Sequence, residues 1–499
     1  MPIYYESTRS GKIREIPENA ILQGLSPDGG LYAPRDFKNT ALNLSELADM
    51  DYETICRNVL EKFLGIGTED ARTLTESAYR GKFSTATPAP LVHLKDSHIL
   101  ELFHGPTAAF KDFGLQLLPQ LTKYALEKTG FPRDILIVTA TSGDTGKAAL
   151  EGFKDVARTK IIVFYPFEKV SKIQELQMRT QEGDNTGVAA VRGNFDDAQN
   201  GVKALFTDKE FLEKLDERRI RLSSANSINI GRLAAQIVYY FSAYGALIRD
   251  RFIQKGDKVN FVVPTGNFGN ILAGYYAGKM GLPIHRLLCA SNRNNVLTDF
   301  FLTGIYNRKR RFHTTISPSM DILISSNLER LIYHESDADA AYVKELYGQL
   351  NQRSEYKIRP QLLSRIRELF SGGFADDDTT LRTIRREFDD CGYLMDPHTA
   401  VARTVFEDFK KSRGELLGDY ETVILSTASP YKFSRDVIRA FEKTGAEDEF
   451  LLMERLYKKT GVEIPAPLRN LAGKEIRHSD VIEIGEMERL IGDLLGRMS

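Results

Sequence analysis

"DILIVTATSGDTGKAALEGF", residues 134–153, decides the fold class. Its first seven residues are an apolar run rich in β-branched side chains. A glycine turn follows and opens directly into a helical stretch. A short apolar strand feeding a helix through a tight turn is half of a βαβ unit, and repeats of it build a buried parallel sheet. The same order recurs along the chain. "KIIVFYP" (160–166) precedes "VSKIQELQMRT", and "GVAAVRG" (187–193) precedes "NFDDAQNGVKALF". "KVNFVVPTGNFGNILAGYYAGKMG" (258–281) contains strand, turn and helix together. "HRLLCAS" (285–291) and "TVILSTASP" (422–430) add further strands. Strands alternating with helices make this an α/β protein.

Working outward, residues 1–95 look mostly helical. "NLSELADMDYETICRNVLEKFLG" places apolar residues at helical spacing. "TPAP" at 87–90 marks a boundary. A chain of 499 residues suits two or three domains. The expected division is 1–95 as a mostly helical N-terminal domain, 96–255 as a smaller sheet domain and 256–499 as a larger one. The last carries a charged helical extension around 305–390 and a helical tail.

Composition removes several function classes. A formal net charge of −1 gives no general attraction to nucleic acid or to an anionic membrane. The basic run "RKRR" at 308–311 has no aromatic residues interleaved with it and fits a solvated loop. Three widely spaced cysteines, Cys56, Cys289 and Cys391, form neither a disulfide framework nor a CxxC pair, which favours a reducing compartment. The first residues lack the apolar core of a signal peptide, and no apolar run approaches a membrane span. No HExxH motif occurs and no metal is expected. A cytoplasmic enzyme is the resulting expectation.

Two strands end in glycine turns that open helices: "TSGDTG" (141–146) and "TGNFGN" (265–270). Helix N-termini present unpaired N–H groups and bind anions, and glycine lets the backbone come close to them. A Walker A loop is excluded, because Thr141 stands where its first glycine belongs and Ala148 where Ser or Thr belongs. Neither turn spells the GxGxxG of a dinucleotide site. Nucleotide hydrolysis and hydride transfer therefore lose support.

"HGPTAAFKDFG" (104–114) sets Lys111 among aromatic and small residues. Such a lysine could simply start a helix and pair with Asp112 or with solvent. Schiff-base chemistry needs a neutral amine, which a desolvated lysine supplies. A lysine, two anion-binding turns and the hydroxyl-bearing "STASP" together provide the parts of a pyridoxal phosphate site.

At these residues the chain resembles the threonine synthase family, pyridoxal-phosphate enzymes of the tryptophan synthase β-like fold type II. The resemblance runs from "STRSG" and "ILQGLSPDGGLYAP" through "ELFHGPTAAFKDFG", "TATSGDTGKAA", "SANSINIGRLAAQIVYYF" and "VPTGNFGNILAGYYA". It continues through "SPSMDILISSNLERL" and "MDPHTAVA" to "STASPYKF". It implies two open twisted sheet domains beside the N-terminal domain. It also implies conversion of O-phospho-L-homoserine and water to L-threonine and phosphate. Lys111 is then the Schiff-base lysine and catalytic residue. Gly266, Asn267, Phe268, Gly269 and Asn270 are implied to cradle the cofactor phosphate, and Thr427 to meet the pyridine nitrogen. Asp144 is implied to lie near the cofactor's 3′-oxygen, where a bare carboxylate would repel a phenolate unless one of them carries a proton.

The same resemblance implies that Thr141, Ser142, Gly143 and Thr145 face the substrate carboxylate. Asn226, Ser227, Asn229 and Arg232 are implied to bind its phosphate. His398, in the family-typical "DPHT" (396–399), has no chemical role assigned and reads as a structural histidine near a helix start. The quaternary state expected is monomer or homodimer. A phospho-lyase of the same family, a serine or threonine dehydratase of the same fold and a non-catalytic binding protein stay open as alternatives.

Overall fold

Two mainly parallel sheets carry the fold in the computed structural model, which describes residues 3–141 and 143–498. The five-stranded sheet runs Asp480–Ile482, Thr186–Val191, Thr159–Pro166, Asp134–Ala140 and Ile220–Ser223, all parallel. The six-stranded sheet runs Phe370–Phe374, Ile284–Ser291, Val259–Pro264, Thr422–Ser426, His98–Glu101 and Leu91–His93. Only its last pair is antiparallel. Every residue of Val259–Pro264 and of Thr186–Val191 is buried. Strands covered on both faces have no solvent side, so their sequences are continuous apolar runs.

The N-terminal region departs from the expectation of a mostly helical domain. Tyr5–Ser7, Ser10–Glu15 and Tyr32–Pro34 form a three-stranded antiparallel sheet. Helices Pro17–Gln23, Tyr52–Val59 and Thr68–Tyr79 accompany it, making this region mixed β and α. Two of these strands are only three residues long and are buried throughout, so they show no alternation. The third, "SGKIRE", is largely solvent-facing and polar. Neither pattern carries a strand signal.

The sheets are not contiguous in sequence. The hairpin 91–101 pairs within the six-stranded sheet. The tail, expected to be helical, includes the strand Asp480–Ile482 at the edge of the five-stranded one. The charged stretch 305–390 contributes helices and also Phe370–Phe374, an edge strand of the six-stranded sheet. Among the described residues no helix is long and apolar enough to cross a membrane.

Three helices place the site. Lys111–Thr129 packs against both Asp144–Phe153 and Ile230–Arg249. The first contact is unusually close: a Cβ on Gly152 would lie 1.7 Å from the Leu115 carbonyl oxygen. Only glycine permits that approach. The N-terminal helices back the other side, where Tyr79 donates its hydroxyl to the Phe113 carbonyl at 2.9 Å. Tyr52, Phe83 and Tyr239 also pack around the Phe113 ring.

Candidate active site

Lys111 is the first residue of its helix and is buried. Its approach is shaped by the loop before it. Asp112 turns back and accepts hydrogen bonds from the Thr107 N–H at 2.9 Å and the Thr107 hydroxyl at 2.6 Å. The Phe110 N–H donates to the Thr427 carbonyl at 2.8 Å, and Ser429 N–H donates to the Ala108 carbonyl at 3.0 Å. The lysine loop is thereby clasped to the end of strand Thr422–Ser426, with Thr427 beside the start of the lysine helix. Asp112 does not serve as the partner of Lys111.

The amine instead faces the other sheet. Lys111 Nζ lies 3.8 Å from Asp144 Oδ2 and 3.4 Å from the Ser319 hydroxyl. Burial lowers its pKa, and the cations of Lys432 and Arg232 lower it further, against the pull of Asp144 and Asp112. The amine is thus disposed to lose its proton, which a Schiff-base or general-base lysine must do. Asp144 begins the helix after the "TSGDTG" turn. Burial would raise its pKa, but Lys432 and Lys111 together hold it below the usual carboxylate range. The pairing with Lys432 thus favours the ionised form of Asp144.

Arg232 supplies a second cation. It is buried on helix Ile230–Arg249 and donates from Nη1 to the Ala225 carbonyl at 3.0 Å, while its Nε has no hydrogen-bond partner among the described residues. Gly114, on the lysine helix, packs against that Nε, since a Cβ there would sit 3.4 Å away. Burial without a counter-ion pulls the guanidinium pKa down to about 10. A buried cation lacking its anion is costly, and a phosphate suits its fork.

The "TGNFGN" turn has the form of an anion cradle. Phe268 takes a left-handed conformation (φ 63°) immediately before helix Gly269–Lys279. Asn270 in its first turn has a buried side-chain amide nitrogen with no partner among the described residues, while its oxygen accepts from Tyr239 and Tyr240. A Cβ on Gly266 would meet the Ser319 carbonyl at 2.6 Å, so the turn lies against the same loop that reaches Lys111. Asn327 donates from Nδ2 to the carbonyls of Ser227 and Asn267, at 3.2 and 3.0 Å. That one amide ties the "NSINIGR" segment to the cradle. A pyridoxal phosphate fits these features: an amine for its aldehyde, an unpartnered donor at a helix start for its phosphate, and a buried hydroxyl residue, Thr427, beside the lysine.

Other sequence candidates divide. The Thr141 hydroxyl accepts from the N–H groups of Gly143 and Gly146, each at 3.0 Å, and so shapes the turn itself. Thr145 is half-buried, and Ser142 lies outside the described residues. Asn226 is exposed and Ser227 half-buried. The Asn229 side chain caps its helix at Gly231 N (3.0 Å) and donates to the Ile21 carbonyl (2.9 Å), so both ends of its amide are engaged within the protein.

His398 packs edge-on against Phe433, bonds Asp396 through Nδ1 at 2.8 Å and accepts the Ser319 N–H at Nε2 at 3.1 Å. Its ring therefore fixes the loop that carries Ser319.

Sequence reasoning passed over Ser319, Asn327, Arg330 and Lys432, although each stands inside a string quoted for the resemblance. Arg330 is fully buried and donates to the carbonyls of Tyr32 and Ile228 at 2.8 and 2.6 Å. An arginine directly followed by the apolar "LIY" in "NLERLIYH" is the signal that could have found it.

A family profile described as "Threonine synthase N terminus" matches residues 4–79. Threonine synthase of Pseudomonas aeruginosa is 39% identical over 443 residues, covering 87% of this chain and 90% of that one. The chain spans 58% of the length of the Threonine synthase-like 1 protein of Pongo abelii, at 38% identity over 436 residues and 85% of its own length. The crystal structure of PLP-bound threonine synthase from Brucella melitensis superposes with a TM-score of 0.87 at 36% identity, over 99% of both chains. The chain belongs to the threonine synthase family.

Proposed function

We infer that the chain converts O-phospho-L-homoserine and water to L-threonine and phosphate, with pyridoxal phosphate as cofactor. The observation that carries this reading is Arg232, a buried guanidinium with an unpartnered Nε set against the Lys111 helix. A dehydratase acting on serine or threonine has no phosphate to place there.

Lys111 would hold the cofactor's aldehyde carbon, the turn Gly266–Asn270 its phosphate and Thr427 its ring nitrogen. When bound, pyridoxal phosphate supplies the electron sink that lets the substrate's C–H bonds and its bond to the γ-phosphate oxygen break. Arg232 grips the substrate phosphate, with Asn226 and Ser227 nearby in sequence and Asn229 keeping the start of its helix in shape. The turn Thr141–Thr145 faces the substrate carboxylate. With both ends fixed, the Lys111 amine moves protons at the substrate's Cα, Cβ and Cγ in turn. Burial of Lys111, Asp144 and Arg232 keeps water from the reacting carbons and strengthens each charge interaction. The three cysteines are unpaired and two of them buried, which suits a cytoplasmic setting.

Product analysis tests the reading. Purified protein supplied with pyridoxal phosphate and phosphohomoserine should release threonine and phosphate in equal amounts. Release of 2-oxobutyrate would assign a phospho-lyase instead. Arg232→Ala should lower kcat/KM for phosphohomoserine by about 100-fold or more, as expected for losing a charged contact to a phosphate. Unchanged kcat/KM would remove the phosphate site from Arg232.

A further inference from the structure

Lys432 is a second buried lysine in this site, and the chemistry above does not use it. It stands in the turn Pro430–Phe433, directly after the strand that ends at Ser426. Its side chain is fully buried. The ammonium meets Asp144 Oδ1 at 2.9 Å, the Thr107 carbonyl at 2.8 Å and the Gln177 side-chain oxygen at 3.2 Å. An ammonium has three protons to donate, and these are three acceptors. The cation is therefore held in place from three segments of chain. Asp144 Oδ1 also receives the Gln174 side-chain amide at 2.9 Å. Its second oxygen, Oδ2, is left on the side of Lys111, 3.8 Å from Nζ.

We propose that Lys432 is a positioning residue: it cancels the charge of Asp144 and leaves Oδ2 alone to face Lys111 and, on the cofactor reading above, the 3′-oxygen of pyridoxal phosphate. A bare carboxylate at that place would repel a phenolate. A carboxylate already paired to a fixed ammonium presents no net charge and still offers one directed oxygen. The same cancellation governs Lys111. Four charged groups act on its amine, Asp144 in contact and the others from further away: Asp144 and Asp112 favour the protonated form, while Lys432 and Arg232 oppose it. Removing Lys432 deletes one repulsion and leaves Asp144 unopposed, so Lys111 becomes more basic. Removing Asp144 does the reverse and leaves Lys432 uncompensated beside it.

The test is competitive labelling of the full-length, cofactor-free chain with acetic anhydride across pH, reading acetylation of the Lys111 peptide by mass spectrometry. Lys432→Met should move the Lys111 midpoint up by about one unit or more, and Asp144→Asn should move it down. The double variant should return toward wild type, because the two charges cancel in the native site. Lys432→Arg, which keeps the charge, should lie closer to wild type than Lys432→Met. A merely structural lysine would not give opposite shifts that cancel.

An unmoved midpoint in Lys432→Met with a wild-type melting transition would overturn the proposal. If Lys432→Met does not fold, Asp144→Asn decides, and an unchanged or raised midpoint there overturns it equally. The labelling needs no turnover. Shifted midpoints without threonine formation leave this inference standing and remove the functional reading, and threonine formation with unmoved midpoints does the opposite.

Discussion

Asp112 follows Lys111 in sequence yet spends both oxygens on Thr107. Burial lifts its pKa to about 6, although the Thr107 hydrogen bonds and Lys432 pull the other way. A carboxyl with a raised folded-state pKa holds its proton more tightly in the folded chain than in the unfolded one. Its favourable contribution is complete below the unfolded pKa and is lost as pH rises through about 6. Asn in its place stays neutral, accepts from the Thr107 N–H and donates to the Thr107 hydroxyl. We expect Asp112→Asn to gain stability over wild type as pH rises from about 4 to 7, by up to roughly 3 kcal/mol. Urea unfolding at several pH values measures the difference, and parallel profiles for the two proteins would refute the expectation. The motif "HGPTAAFKDFG" singled out the lysine but suggested Asp112 as its neighbour. The partner is Asp144, on a different helix. Charge pairs across elements leave no local trace in sequence, which is also why Lys432 went unassigned inside "STASPYKF".

Helix contacts translate single glycines into site geometry. Gly152 brings helix Asp144–Phe153 against the Leu115 carbonyl, and the approach sets Asp144 opposite Lys111. A methyl at 152 has nowhere to go, because the obstacle is backbone. Gly348, inside helix Ala340–Arg353, has nothing within 4 Å of its would-be Cβ. The two Gly→Ala variants should therefore have opposite signs. Gly152→Ala should destabilise by about 3 kcal/mol and lower activity, as overpacking does. Gly348→Ala should stabilise by roughly 0.5–1 kcal/mol through helix propensity. Denaturant midpoints decide it, and a neutral Gly152→Ala would show that the helices separate at no cost. Elements with continuous apolar runs, such as Val259–Pro264, were legible from sequence because burial on both faces selects one kind of residue. Phe370–Phe374 ("FSGGF") and Ser10–Glu15 ("SGKIRE") were not. Their composition disfavours strand, and tertiary context overrides it: Phe370–Phe374 pairs with the distant Ile284–Ser291, and Ser10–Glu15 folds back on Tyr5–Ser7 just before it.

The chain as a whole closes on itself through its last residues. Strand Asp480–Ile482 and helix Met487–Leu495 return to the five-stranded sheet, whose other strands lie between 134 and 223. Sequence reading divides a chain into consecutive pieces, and a sheet completed from far away escapes it. Ile482, Met487, Ile491, Leu494 and Leu495 are all buried there, packed in one apolar cluster with Ile162, Ala189 and Val191. At about 1.5–3 kcal/mol for each buried side chain, their loss rivals the net stability of a typical domain, about 5–15 kcal/mol. Removing them would also leave Thr186–Val191 ("TGVAAV"), an uncharged strand, as an unprotected edge open to pairing with other chains. Deletion of residues 476–499 should therefore strip amide-exchange protection from Thr186–Val191 and promote association. Protection in Val259–Pro264, at the centre of the other sheet, should persist longer. Ile491→Ala, a gentler change, should cost about 2–5 kcal/mol, with the same order of protection loss. Hydrogen exchange read by mass spectrometry follows both strands in one experiment. Undiminished protection of Thr186–Val191 in the truncated chain would mean that the returning segment covers the sheet without stabilising it.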